Sequence, residues 1–184
     1  MSVGQYANLG AMHSQRPTPA EHGPYFGRYV ALAPEGDILA TLATQIGETT
    51  SSLAGLDEER GNFRYAEGKW SLKQVIGHLM DCERVFAYRA LCFARGDATP
   101  LPGFEQDDFV VVADFDARSL ASLAAEFDLI RRTSLALFEN LDEQAWTRPG
   151  HASGTDLTVR AVPWILAGHE LHHMGVIRER YLQA

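Results

Sequence analysis

The amino-acid sequence predicts an all-α fold, a four-helix bundle with long crossover loops and an irregular N-terminal extension. Four segments of about 20 residues carry apolar side chains at helical spacing, which indicates amphipathic helices. The apolar run Val110 to Val112 is too short and too isolated to form a sheet. A length of 184 residues suits one domain with a core and is short for two. We therefore expect residues 1–26 to be the extension and residues 27–184 to be the bundle.

The N-terminal extension contains prolines and glycines without hydrophobic periodicity. Such a segment is expected to be loosely ordered and to contact the bundle, if at all, through Tyr25 and Phe26. Its two histidines, His13 and His22, are expected to be exposed to solvent, as is His151 in a later loop.

The first two helices are predicted from apolar periodicity and from the residues at their ends. The first runs from about Glu35 to Leu56 and the second from about Ser71 to Ala94. The second begins with a capping box, because Ser71 is followed three residues later by Gln74. The apolar side chains that define the first helix are Ile38, Leu39, Leu42, Ile46 and Leu53.

The third helix is predicted from about Ala117 to Leu141 and the fourth from about Thr158 to Leu182. Pro163 lacks a backbone N–H, so either the first turn of the fourth helix is kinked or the helix starts near this proline. The connections predicted to be long loops are residues 97–116 and 142–157.

Charge and cysteine content narrow the class of protein. Lys and Arg number 16 and Asp and Glu 24, so the net charge of −8 argues against binding to nucleic acid or to an anionic membrane surface. No apolar run approaches the length of about 20 residues that a membrane span needs, and the N-terminus lacks a secretion-signal pattern. Cys82 and Cys92 would lie about 15 Å apart on one helix, too far to bridge. We expect a cytoplasmic protein.

A histidine pair in the fourth helix is the first candidate functional site. His169 and His173 fall near the middle of its apolar stripe, and buried imidazoles are costly without partners. One helical turn separates them by about 6 Å, which lets both nitrogens reach one ion at about 2.1 Å. The alternative is two core histidines that are hydrogen-bonded to neighbouring side chains.

Three residues of the second helix bear on this choice. His78, at the margin of the apolar stripe, supplies a third imidazole and favours a metal site. Cys82, one turn later, is either a soft ligand or a buried inert thiol. Glu83 either hydrogen-bonds a ligand histidine or forms a salt bridge with an arginine such as Arg89 or Arg131.

The cluster also contains the zincin pattern H-E-x-x-H, with Glu170 after the first histidine. The metzincin extension fails, because Val176 and Glu179 occupy the positions that require Gly and His. Only 11 residues follow His173, which leaves little room for a further helix with a ligand. The pattern therefore disfavours a protease.

Three short motifs resemble the DinB-like family, the DNA-damage-inducible proteins that share a fold with metal-dependent bacterial thiol transferases. The likeness extends from about Tyr29 to Leu182. Its most specific segments are Gly68-Lys69-Trp70-Ser71 leading to Gly77-His78-Leu79, the loop Leu101-Pro102-Gly103-Phe104, and Ala167-Gly168-His169-Glu170-Leu171-His172-His173.

The resemblance implies an up-down-down-up bundle, often dimeric, in which His78, His169 and His173 bind zinc or nickel. Some relatives transfer low-molecular-weight thiols such as bacillithiol, and a related family includes a mycothiol-dependent isomerase. The resemblance thus implies the metal site more strongly than any one reaction.

The sequence accordingly predicts an enzyme with an open metal position that acts on a small molecule as a thiol S-transferase or hydrolase. Glu83, Glu170 or His172 is expected to transfer protons. The alternative is a metal-binding or stress-response bundle without turnover. We expect a homodimer with no nucleic-acid or membrane partner.

Overall fold

The computed structural model describes residues 12–183, and this range contains eight α-helices and one two-stranded hairpin. The four long helices are α2 (Ile38–Leu53), α4 (Leu72–Ala94), α6 (Leu120–Glu139) and α8 (Ala161–Val176). The short ones are α1 (Gly23–Val30), α3 (Glu58–Asn62), α5 (Gln106–Ala113) and α7 (Glu143–Trp146). Strands β1 (Pro149–Ala152) and β2 (Thr155–Thr158) pair antiparallel, and a π-helical turn, Ile177–Tyr181, continues α8.

The four predicted bundle helices are confirmed, and capping side chains explain where three of them begin. Asp37, Ser71 and Ser119 each accept a hydrogen bond from a backbone N–H in the first turn of the helix that follows. Ser71 and Gln74 form the predicted capping box. The last helix, α8, begins two residues before Pro163, so the missing N–H falls in the first turn, where it needs no partner. The alternative of a late helix start is therefore the correct one.

The order of the long helices is up-down-down-up. α2 and α8 run parallel, because the contacts between them advance in the same direction along both helices. Gln45 contacts Ala167, and Thr49, one turn later, contacts Glu170. α4 and α6 also run parallel, since Lys73 near the start of α4 and Leu120 at the start of α6 both contact Glu58, and Glu83 contacts Arg131 further along. α4 and α8 are antiparallel, because the tyrosine that ends the π-helical turn donates to a carbonyl just before α4. Two parallel neighbours require the long crossover between α4 and α6.

Regular structure occurs in both segments that the sequence predicts to be loops. The 97–116 segment contains α5, in which Val110 is buried while the two valines that follow are exposed. Most of the hairpin lies within the 142–157 segment, and its turn consists of Ser153 and Gly154, both with positive φ. A serine seldom adopts this conformation, so the sequence carried only a weak hairpin signal.

The N-terminal prediction needs correction from residue 12 onward. The segment expected to be loosely ordered packs on the bundle and includes a 3₁₀ turn, Pro19–Glu21, and the first residues of α1. His13 and His22 are buried, not exposed, and His13 packs against Trp146. Charged contacts hold the segment in place, since Glu21 pairs with Arg160 at 2.7 Å. Such long-range pairs leave no periodic signal in the sequence.

Part of the N-terminal prediction fits the structure. Phe26 is buried and makes an edge contact with Phe86, although Tyr25 is 59% exposed. His151 is partly exposed and pairs with Asp156. Residues 1–11, which the prediction also covered, lie outside the described residues. No helix within residues 12–183 is long and apolar enough to cross a membrane.

Two glycines let other segments approach the helices that carry the histidines. A Cβ on Gly77 would lie 2.3 Å from the ring of Phe115. A Cβ on Gly168 would lie 1.8 Å from the backbone oxygen of Tyr29, so α1 rests directly on the backbone of α8. Each glycine immediately precedes a candidate metal ligand, and the close packing therefore restrains the histidine turns.

We expect Gly168→Ala to lower the free energy of unfolding by about 2–3 kcal/mol, because backbone atoms must move apart to admit the methyl group. Gly175→Ala in the same helix is the matched control. No side chain of the described residues lies within 4 Å of its added Cβ, so stability should stay unchanged or rise by up to about 1 kcal/mol. Chemical denaturation measures both, and equal effects would show that α1 does not pack on α8 in this way.

Candidate metal centre

Three histidines from two antiparallel helices converge inside the bundle. The Nε2 atom of His169 lies 3.1 Å from the Nε2 atom of His78 and 3.1 Å from that of His173. One nitrogen from each ring lies within 4.8 Å of the others. His78 is 2% exposed and His169 is 9% exposed, while His173 is half-buried. The trio is the group within residues 12–183 whose geometry fits a metal ion.

The spacing suits a shared cation better than hydrogen bonds among the rings. An imidazole nitrogen carries either a proton or a lone pair, so the Nε2 atom of His169 can make one well-aligned hydrogen bond with a neighbouring nitrogen. It faces two nitrogens at equal distance. With bonds of about 2.1 Å, a nitrogen separation of 3.1 Å corresponds to an angle of about 95° at the ion, within the range that divalent metals adopt.

Burial keeps these rings in the form that binds metals. It lowers the pKa of His78 to about 4. Burial, with smaller contributions from His78, His172 and Arg28, lowers the pKa of His173 to about 3. Burial and the neighbouring histidines also hold the pKa of His169 well below its usual value. All three imidazoles are therefore neutral at pH 7, with lone pairs free for an ion.

These pKa shifts predict how the stability of the metal-free protein depends on pH. His78 binds a proton near pH 6.5 in the unfolded chain but only near pH 4 in the fold. Between these values the unfolded state binds more protons, so the free energy of unfolding falls as the pH falls, by at most about 1.4 kcal/mol per pH unit for this residue. Denaturation of wild type and His78→Asn from pH 7 to 4 isolates this contribution. Identical slopes for the two proteins would contradict the assignment.

Aromatic rings and a thiol surround the trio. The ring of Trp70 lies 4.9 Å from that of His78, and the ring of Tyr29 meets His169 edge-on at 5.2 Å. The Sγ atom of Cys82 lies 3.6 Å from both ring nitrogens of His78. Burial raises the pKa of this thiol to about 12, so it stays protonated at neutral pH. These features favour the inert thiol over the soft ligand.

A buried ionic cluster joins all four long helices beside the histidines. Arg131 on α6 donates to both carboxylate oxygens of Glu83 on α4 at 2.7 Å and to Glu170 on α8 at 2.8 Å. It also donates to the carbonyl of Leu42 on α2, and Thr49 of that helix donates to Glu170 at 2.6 Å. Burial opposes the charge of Arg131, but the two carboxylates outweigh it and raise its pKa. The cluster fixes α4 and α8, which carry the histidines.

Neither of the two acidic residues expected to transfer protons has a free carboxylate at the histidines. Glu83 does not contact a ligand histidine; it forms the alternative salt bridge, with Arg131 as its partner. Glu170 directs both oxygens at Arg131 and Thr49, so the literal zincin pattern does not place a free carboxylate at the histidines. His172 is exposed, and its ring lies 5.0 Å from that of His173.

Sequence reasoning missed the structural role of Thr49 and Tyr29 and considered Arg131 only as an alternative partner. Arg131 follows Phe127 by one helical turn, so it stands where the third helix should be apolar. A charged residue at a core position is the signal that a buried counter-charge must exist. Tyr29 gave no comparable signal, because its contact depends on the folding of the N-terminal segment.

A cavity of about 880 Å³ opens beside the trio. His169, Cys82, Tyr29 and Phe86 are among the residues that line it. The hairpin turn and the loop that begins at Leu101 also contribute lining residues. The volume is in the range of pockets that hold small-molecule ligands, and its position gives such a ligand access to His169.

Comparison of sequences relates the chain to known proteins. The family model described as the DinB superfamily matches residues 41–177, which is most of the chain. A protein of Oceanobacillus iheyensis that is named as a proposed metal-dependent hydrolase is 26% identical over 141 residues. The matched region covers 76% of this chain and 79% of that relative.

Comparison of structures supports the same architecture. YfiT from Bacillus subtilis, described as a probable metal-dependent hydrolase with an unusual four-helix bundle topology, superimposes with a TM-score of 0.66 at 15% identity, over 96% of this chain and 97% of YfiT. A mycothiol-dependent maleylpyruvate isomerase superimposes with a TM-score of 0.63 at 12% identity, over 74% of this chain and 58% of that one. At these identities the likeness establishes a shared fold.

Proposed function

The chain belongs to the DinB superfamily, and from this premise we propose that it is a divalent-metal enzyme that acts on a small-molecule substrate. The proposed ligands are His78, His169 and His173. The observation that carries the proposal is the approach of three neutral imidazole nitrogens to one point, beside a cavity that His169 lines. The reaction is hydrolysis or the transfer of a thiol.

The metal proposed is zinc or nickel, because neutral imidazoles suit both ions and three ligands leave a position open. A divalent ion in this place supplies Lewis acidity to a substrate, water or thiol. His169 connects the site to the cavity, and the apolar side chains of Phe86 and Leu166 line the cavity as well. The edge contact from Tyr29 restricts rotation of the His169 ring.

We assign proton transfer to His172 and give Glu83 and Glu170 an indirect role. His172 is exposed beside His173, so a proton on its ring exchanges with solvent. Both carboxylates accept hydrogen bonds from Arg131. They act as positioning residues, because they fix the two helices that carry the metal ligands.

Two reaction types fit this site. The name of the Oceanobacillus relative supports hydrolysis, and the structural likeness to a mycothiol-dependent enzyme supports thiol chemistry, with bacillithiol as one such co-substrate. The cavity favours an enzyme over a metal-binding or stress-response bundle without turnover, because a purely structural ion needs no such access. A reduced thiol co-substrate would place the reaction in the cytoplasm. The family resemblance favours a homodimer.

The proposal is tested by reconstituting metal-free protein with zinc or nickel and screening it against esters and amides, and against electrophiles supplied with thiols. We expect turnover that disappears on chelation and returns with the metal. His172→Gln should retain the metal but lower kcat by about 100-fold and alter its pH profile. Full turnover without metal would contradict the proposed function, whereas an unchanged His172→Gln enzyme would contradict the proton-transfer role alone.

A further inference from the structure

The cavity wall contains a second polar group that the metal site does not use. Arg89 lies on α4, is 2% exposed and lines the cavity. Its Nη2 atom donates to the carbonyl of Pro102 at 3.0 Å and to the hydroxyl of Ser153 at 2.7 Å. Its guanidinium also lies 4.9 Å from the ring centroid of Phe86. These contacts hold the group in one orientation.

The charge of Arg89 has no acidic partner among residues 12–183. The other arginine of comparable burial, Arg131, is paired with two carboxylates, whereas no Asp or Glu within the described range lies within 4.0 Å of the Arg89 guanidinium. Glu105 and Asp107 also line the cavity, but both are exposed and neither pairs with it. Burying a cation without a counter-charge costs folding free energy, and an anion that binds beside it offsets this cost.

Arg89 has donor atoms that its contacts with the protein do not use. Its Nε and Nη1 atoms have no hydrogen-bond acceptor among the described residues. Neither atom is fully enclosed by protein. The fully enclosed side-chain nitrogen and oxygen atoms that lack a partner in this range belong to His13, Gln45, Trp146 and Trp164, and none belongs to Arg89. Arg89 therefore presents donors, with its positive charge, to whatever occupies the cavity.

We infer that Arg89 anchors the carboxylate of an anionic substrate or co-substrate whose reacting group lies at the histidine trio. The inference rests on the proposed function for the reacting end. Ser153 strengthens the anchor, because its oxygen already accepts from Arg89 and its own proton can be donated to a second oxygen of the ligand. The backbone N–H of Ser153 donates to Leu101, and this bond fixes the hairpin turn against the cavity wall.

The helix geometry sets the shape of the ligand. His78 and Arg89 lie eleven positions apart on α4, which separates their Cα atoms by about 16 Å along the helix axis. The Arg89 guanidinium turns back over the ring of Phe86, so it lies nearer to the trio than its Cα atom does. Cys82 and Phe86 line the wall between them. A ligand that spans this wall has a metal-binding or reactive group at one end, an uncharged middle and a carboxylate at the other end.

Matched probes test this inference on the zinc-loaded protein. Calorimetric titration compares 8-mercaptooctanoate with 8-mercaptooctanamide, which differ only in the terminal charge. We expect the carboxylate to bind at least tenfold more tightly in the wild type. Arg89→Met should remove this preference, and Arg89→Lys should retain part of it.

Equal affinities of the two long probes in the wild type would overturn the inference without any variant, as would a preference that survives in folded Arg89→Met. If circular dichroism shows that Arg89→Met does not fold, Ser153→Ala serves instead, and it should reduce the preference several-fold. Failure of both thiols to bind the zinc-loaded protein would count against thiol chemistry at the metal. In that event the anchor is tested by thermal shift with octanoate and octanamide, and equal shifts would overturn it separately.

Discussion

His169→Ala is expected to lower the affinity for zinc by more than 100-fold, the largest effect of any single substitution at the proposed centre. Its Nε2 atom lies 3.1 Å from the other two ligand nitrogens, so its removal leaves only His78 and His173. Loss of a direct ligand should exceed the 10- to 100-fold effect that is typical of residues supporting a ligand. Competition titration with a chromophoric chelator measures the affinity.

His172→Ala provides the control for this experiment. It removes an imidazole from the same helical turn, but that ring is exposed and lies outside the converging trio. Zinc affinity should change by less than about threefold. Comparable losses in the two variants would indicate that the ion is held by the histidine-rich surface rather than by the buried trio.

Arg131→Met is expected to cost about 3–5 kcal/mol of folding free energy, because it leaves two buried carboxylates without a counter-charge. Arg132→Met is the matched control. Arg132 follows directly in the chain, but its side chain is 71% exposed and pairs with Asp128 on the surface, so its loss should cost no more than about 1 kcal/mol. Urea denaturation at pH 7 distinguishes the two.

A combined variant separates the ionic account from a simple packing effect. Replacing Glu83 and Glu170 by Gln in the Arg131→Met background removes the stranded charges and should restore part of the lost stability. If the triple variant is less stable than Arg131→Met alone, repulsion between unpaired carboxylates is not the cause. The zinc affinity of the triple variant also reports whether the cluster positions the helices that bear the ligands.

The long helices and the pair His169 and His173 were predictable because each leaves a local, periodic trace, whereas the addition of His78 as a ligand followed from the family resemblance. Ser71 with Gln74 marks the start of α4, and the i, i+4 spacing of His169 and His173 brings both to one face. The partner of Glu83 was open between two arginines, because the relative rotation of helices is decided by packing across the core. The position of Arg131 on the apolar face of its helix indicated a buried counter-charge, but it did not show that Glu83 supplies that charge.

The remainder of the site depends on contacts between distant segments. The burial of His13 and His22, the approach of Tyr29 to Gly168 and the placement of Arg89 at the hairpin turn involve residues far apart in the chain. None follows a helical or strand period, so propensity and spacing could not reveal them. The cavity arises from these same contacts, since its walls come from the N-terminal segment, α4, α8 and the two connections.

Anomalous scattering from crystals of the zinc-loaded protein tests the central claim most directly. Data collected on both sides of the zinc absorption edge should show one strong peak, about 2.1 Å from the Nε2 atoms of His78, His169 and His173. A fully loaded crystal in which the zinc peak lies elsewhere, or contacts fewer than two of these rings, would contradict the assignment of the metal centre.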